Sequence, residues 1–111
     1  MRIKILCWNV RGLNDIEKRK LIKGVVRNQK PDLVCLSETK VKEMSLQLVK
    51  SMGVGRFFNW ASVDARGAAG GLFLFWDNRV LENLEVESGG YSISIRFRNV
   101  SDGFSWIFSE V

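Results

Sequence analysis

The stretches "ILCWNVRGLN" (5–14) and "PDLVCLSETK" (31–40) decide how this chain is built. Each is a short apolar run that ends in one polar group, Asn9 in the first and Glu38 in the second. The residues between them read as an amphipathic helix over about 16–28. Ile16, Leu21, Ile22, Val25 and Val26 form its apolar face, and Lys18, Arg19, Lys20, Lys23 and Arg27 lie largely opposite. Asn14 followed by Glu17 fits a capping box, and Pro31 ends the helix because it can neither donate an amide hydrogen nor fit against the preceding turn. Strand, helix and strand in succession predict a right-handed βαβ unit with two parallel neighbouring strands. Their carboxyl ends share one edge of a sheet, so the topology brings Asn9 and Glu38 together where open α/β proteins hold ligands.

The run "DLVCLSE" is apolar without alternation, the pattern of a strand buried on both faces. A second helix is expected over about 42–52, with Met44, Leu48 and Met52 on one side and Gly53 as its stop. Beyond Gly55 the pattern changes to successive strand candidates, "RFFNWASV", "GGLFLFWD", "VLENLEVES", "YSISIRFR" and "FSWIFSEV", separated by Gly, Asn or Asp turns. Leu81, Leu84 and Val86, then Ile93, Ile95 and Phe97, alternate with polar residues, as in antiparallel strands with one wet face. The expected class is α/β (α+β): a mixed sheet of about seven strands with two helices on one face. In that arrangement some of Trp60, Phe73, Phe75, Trp76, Trp106 and Phe108 lack a covering layer, which implies a further partner or the rest of the same domain.

The length of 111 residues allows one domain or part of a larger one. The net charge of +5 is uneven: positions 1–60 hold thirteen Lys/Arg against five Asp/Glu, whereas 61–111 hold four against seven. A basic first half suits a polyanion such as nucleic acid. Cys7 and Cys35 sit in apolar runs and read as buried, reduced thiols of an intracellular, soluble protein, with no signal-peptide or membrane-span pattern. The chain has no histidine, so His-based hydrolysis cannot be completed within it.

An amide oxygen from Asn9 beside the Glu38 carboxylate suits a hard divalent cation, and Mg²⁺ commonly takes one or two carboxylates while keeping water and substrate oxygens. Thr39 and Lys40 add a hydroxyl and a cation suited to phosphate. The glycines of "GAAGGLFLFWD" (67–77) are not a nucleotide-binding P-loop, because no Gly-Lys-Ser/Thr follows and the segment enters a strand; Gly67, Gly70 and Gly71 read as turn and close-packing residues.

In order and spacing, "ILCWNVRGLN", "PDLVCLSETK" and "GAAGGLFLFWD" resemble the opening motifs of the endonuclease/exonuclease/phosphatase (DNase I-like) superfamily. They are most similar to the endonuclease domain of plant LINE-type (non-LTR) retrotransposons. The resemblance implies a four-layered α/β sandwich with two facing sheets, of which 1–111 would be the N-terminal half, truncated at the C-terminus. It implies that Asn9 lies in the metal and phosphate site, that Glu38 binds the catalytic Mg²⁺ (Mn²⁺ as a substitute), and that Arg11 and Lys40 contact phosphate. It further implies DNA as the substrate of the parent protein, with no membrane partner, and a nuclear place of action.

The family's later motifs are absent. Tyr91 is followed by Ser92 rather than Gly-Pro, Asp77-Asn78 lacks the residue between that an Asp-x-Asn pair requires, and Ser101-Asp102 is followed by Gly103 rather than His. Negligible nuclease activity is therefore expected of these residues alone. Two other readings stay open on sequence: a non-catalytic nucleic-acid-binding or interaction fragment, and a phosphatase of the same superfamily.

Overall fold

The computed structural model describes residues 2–67 and 69–111; Met1, and Ala68 within the glycine segment, lie outside the described residues. The elements run β1 (Ile5–Asn9), α1 (Ile16–Gln29), β2 (Leu33–Ser37), α2 (Leu46–Ser51), β3 (Phe58–Val63), β4 (Leu72–Asp77), β5 (Leu81–Gly89), β6 (Ser92–Asn99) and β7 (Ser105–Glu110). Seven strands and two helices match the expected inventory. They form two sheets rather than one: a four-stranded sheet in the order β1-β2-β4-β3 and a three-stranded sheet in the order β5-β6-β7. β1 and β2 are parallel, and all the other pairs are antiparallel.

The division follows from the turn after β4. Asp77 accepts from the Arg79 amide at 2.9 Å through its carboxylate and from the Val80 amide at 3.1 Å through its carbonyl, which turns the chain out of the first sheet. The strands that follow are apolar on one face only, so they suit a facing layer and not the interior of the same sheet. β2 and β4 are apolar throughout and sit at the centre of the first sheet. One side of them, Val34, Leu36, Phe73 and Phe75, meets Ile22 of α1 and Val49 and Met52 around α2. The opposite side, Leu33, Cys35, Leu72, Leu74 and Trp76, meets Leu81, Ile93, Ile95 and Phe97 of the second sheet. The result is three layers, helices on sheet on sheet, with Trp76 edge-on to Phe97 at 5.2 Å across the inter-sheet core.

This second sheet provides most of the cover that a single seven-stranded sheet would lack. Phe73, Phe75 and Trp76 are buried and Trp106 and Phe108 are half-buried, which corrects the expectation of a bare apolar face. What stays open is the inner side of β1, where Ile5 is 42% exposed and Cys7 is exposed as well. Only Cys35 is the buried thiol expected of both cysteines. β1 is an edge strand of the first sheet, and β7 is an edge strand of the second.

Local details depart from the sequence reading in four places. Asp15, not Asn14, caps α1, its carboxylate accepting from the Glu17 amide at 2.9 Å, while the Asn14 side chain donates to the Lys40 carbonyl at 3.4 Å. Ile16 and Leu21 are exposed because Lys18 and Arg19 turn inward, donating to the carbonyls of Val10 (2.9 Å) and Leu13 (2.6 Å). α2 is also shorter than predicted, since the Ser45 hydroxyl accepts from the Leu48 amide at 3.1 Å and starts the helix there. In β5, Leu81 and Leu84 are three residues apart, a spacing that puts two residues on one face only across an irregularity. The register does shift between Asn83 and Glu85, yet only Leu81 is buried and Leu84 stays partly exposed.

Candidate functional site

The parallel ladder pairs Asn9 with Ser37, so Glu38 is one residue beyond the partner of Asn9. Neighbouring strands are about 5 Å apart, which brings the two predicted groups onto adjoining backbone at one sheet edge. The ladder continues past the strand ends through backbone hydrogen bonds from Val10 to Ser37 (3.0 Å), Gly12 to Glu38 (2.8 Å) and Leu13 to Thr39 (2.9 Å). The glycine segment closes the other side: the amides of Thr39 and Lys40 donate to the carbonyls of Gly71 (3.2 Å) and Gly70 (2.9 Å). Three loops are thereby zipped together around Glu38.

This zipper is conformationally strained. Among the described residues four non-glycine positions have positive φ, and three of them are here: Arg11 (54°), Glu38 (55°) and Lys40 (57°). The left-handed region places Cβ against the following carbonyl, at a cost of about 1–2 kcal/mol for each residue. Such clustering of strain is typical of residues held in place for a purpose. Gly12 (109°), Gly67 (66°), Gly70 (79°) and Gly71 (98°) are further positive-φ positions of these loops. A Cβ on Gly71 would run into the Thr39 hydroxyl, so the glycine is required by close packing, as predicted.

Asn9, Arg11 and Lys40 are exposed and Glu38 is half-buried, so all the predicted site groups reach solvent from one edge. Thr39 differs. It is 1% exposed, with its hydroxyl against Gly71 and accepting from the Val41 amide at 3.4 Å, and is therefore a packing residue and not a phosphate ligand. No group of three or more His, Cys, Asp or Glu side chains poised around a common metal position occurs among the described residues. One carboxylate and one amide oxygen fit a Mg²⁺ ion that keeps most of its shell as water and substrate, and they form only part of a complete protein set.

Two residues of this region are not among the site residues expected from the sequence, where Ser92 after Tyr91 departs from the family's motif. Tyr91, on the turn between β5 and β6, borders a small cavity of about 110 Å³ together with Ser37, Glu38, Gly70 and Gly71. Arg66 holds its guanidinium carbon 5.5 Å from the centre of the Tyr91 ring. The only signal was a lone tyrosine after Gly89-Gly90, a hairpin-tip pattern that does not tell where the tip lands. Part of the basic charge of the first half sits elsewhere: Lys23, Arg27 and Lys30 line a hollow of about 420 Å³ beside Asp32 and Asp77, at the opposite end of β2.

Two facing sheets with helices on the outer side of one, and strand ends that converge at one edge, match part of the DNase I-like fold seen in an endonuclease/exonuclease/phosphatase family protein. The solved structures that this chain resembles carry that fold. The human Nocturnin catalytic domain with bound sulfate superposes with a TM-score of 0.72 at 14% identity, over 96% of this chain and 48% of that one. The AP endonuclease from Leishmania major gives 0.71 at 18% identity, over 96% and 39%. An endonuclease/exonuclease/phosphatase family protein from Bacteroides thetaiotaomicron gives 0.70 at 12% identity, over 96% and 49%. The chain thus spans half or less of the length of these structures. No protein-family model and no curated protein matches the sequence.

Proposed function

We propose that residues 1–111 form the N-terminal half of a Mg²⁺-dependent phosphodiesterase domain that acts on DNA, of LINE-type retrotransposon origin, and that the half lacks cleavage activity by itself. The observation that carries this reading is the gathering of strained, non-glycine backbone at Arg11, Glu38 and Lys40 on the edge to which the βαβ unit brings Asn9. Strain of this size at polar, solvent-reaching positions is retained where the side chains have work that a relaxed loop would not support. Likeness to nucleases and phosphatases of one fold supports the phosphoester chemistry, and the motif wording supports DNA.

In this reading the Glu38 carboxylate and the Asn9 amide oxygen hold the ion, and Arg11 and Lys40 hold phosphate oxygens. The ion, when bound, supplies Lewis-acid stabilisation of charge on a phosphoryl oxygen. Activation of water by a histidine base has no candidate here, since the chain has no histidine.

Titration with Mn²⁺ followed by electron paramagnetic resonance tests the metal site, with plasmid nicking as the parallel assay. The expected result is one weak site that Glu38→Gln removes, and no nicking by either protein. Equal Mn²⁺ binding by the native chain and Glu38→Gln would refute the assignment, and Glu38-dependent nicking would refute the inactivity.

A further inference from the structure

We propose that Tyr91, braced by Arg66, is a stacking platform for an unpaired nucleobase beside the phosphate-handling edge. The inference rests on the phosphodiesterase reading above and adds to it where the base of the bound nucleotide lies.

The geometry is built and not incidental. Tyr91 follows Gly90, whose φ of 56° turns the β5–β6 hairpin, and the tyrosine residue is 59% exposed. Its ring lies beside Gly70: a Cβ built on that glycine would stand 3.7 Å from the ring, an ordinary packing contact. Arg66 is fixed in its turn by reciprocal backbone hydrogen bonds with Ala69, at 3.1 and 3.4 Å, and reaches across to the ring. None of the ion pairs among the described residues involves Arg66, so its charge is available to an anion. A ring placed between the glycine segment and a guanidinium loses little further freedom when a ligand stacks on it.

The ligand class follows from what stands within one reach. Glu38 and Tyr91 border the same cavity, whose roughly 110 Å³ is too small for a sugar and base together. The base must therefore lie outside that cavity, against the open part of the ring, while its phosphate faces Arg11, Lys40 and the ion. A flat aromatic group joined to an anion a few ångströms away is a nucleotide. A base inside a duplex already has both faces stacked, so the platform takes one from a single strand or from a locally opened site. It should read no particular sequence, because every base offers a π-face.

Fluorescence anisotropy with end-labelled ten-nucleotide strands, one carrying thymine throughout and one abasic, measured at low salt in EDTA, tests this on the intact chain. Tyr91→Ala and Tyr91→Leu are each expected to weaken the thymine strand about fivefold to tenfold and to leave the abasic strand unchanged. Tyr91→Phe should stay within about twofold of native. Leucine keeps apolar cover beside Gly70, so equal losses in the two variants exclude simple loss of the hairpin's packing. Unchanged binding in both variants, the same loss on both strands, or no binding of either strand by the native chain would overturn the platform. Because EDTA removes the ion, any of those results leaves the Mn²⁺ assignment at Glu38 to be judged by its own titration.

Discussion

Gly71→Ala should be among the most damaging single-methyl changes in this protein, and its cost can be worked from the packing around it. The new Cβ meets three things: the Thr39 hydroxyl at a distance no real pair adopts, the Lys40 amide nitrogen at 3.3 Å and the Ala65 methyl at 3.4 Å. Thr39 is 1% exposed and its own amide is tied to the Gly71 carbonyl at 3.2 Å, so the hydroxyl cannot swing into solvent to make room. Over-packing of this kind costs about 1–3 kcal/mol. The backbone at φ 98° adds about 1–2 kcal/mol for any residue with a Cβ. The sum is about 2–5 kcal/mol, measurable in urea unfolding followed by tryptophan fluorescence as a lower midpoint at unchanged slope. Removing the obstacle with Thr39→Ala should recover the over-packing part, so the double variant is expected to sit about 1–3 kcal/mol above the additive value. A loss below about 0.5 kcal/mol, or strict additivity in the double variant, would show that the Gly71–Thr39 contact does not hold the two loops together.

Other perturbations probe independent parts of the fold. Gly24 lies in α1 with nothing within 4 Å of a built Cβ, so Gly24→Ala should stabilise by about 0.5–1 kcal/mol in the same unfolding assay. Alkylation of the native chain should label Cys7 alone, because burial pushes the Cys35 thiol up to about 12 and seals it from reagent. Partial burial and then the charge of Glu110 raise the Cys7 thiol too, so its labelling rate, followed by mass spectrometry, should still climb as the pH passes 9.0. Hydrogen bonds from the Arg79 side chain, at 2.7 and 2.9 Å, hold the Asp77 carboxyl below its ordinary value. That contribution is complete above the ordinary carboxylate pKa of about 3.9 and disappears as the pH falls through the lowered folded value. The melting-temperature gap between native protein and Asp77→Asn should therefore be flat from pH 5 to 7 and close in more acidic buffer.

Much of this architecture was readable before any coordinates, for reasons that particular residues make clear. "LVCLS" and "LFLFW" have no polar alternation, and both are the central strands of the four-stranded sheet, because burial on two faces leaves that mark in a sequence. The parallel pairing of β1 with β2, and hence the approach of Asn9 to Glu38, followed from the length of the helix between them. The partition into two sheets was not readable from the residue pattern; only the family resemblance implied two facing sheets. Alternation at Ile93, Ile95 and Phe97 says that one face is buried and is silent about what buries it. The cap shifted by one position because Asn14 and Asp15 are both competent caps, and only the Lys40 carbonyl nearby decides between them. At the site, the burial of Thr39 and the arrival of Tyr91 depend on contacts between segments far apart in the chain, which no local pattern encodes.

The facing of the two sheets through Trp76 and Phe97 has a consequence for how such a protein is made. Every strand pairing described here closes within the chain, and β5, β6 and β7 form a meander of immediate neighbours. In a longer parent, whatever follows this segment is translated after it, at about 5–20 residues each second, so the inter-sheet core has time to pack before that part is complete. The edge that carries Asn9 and Glu38, with its loops already tied to one another, would then be in place ahead of any later part of the polypeptide.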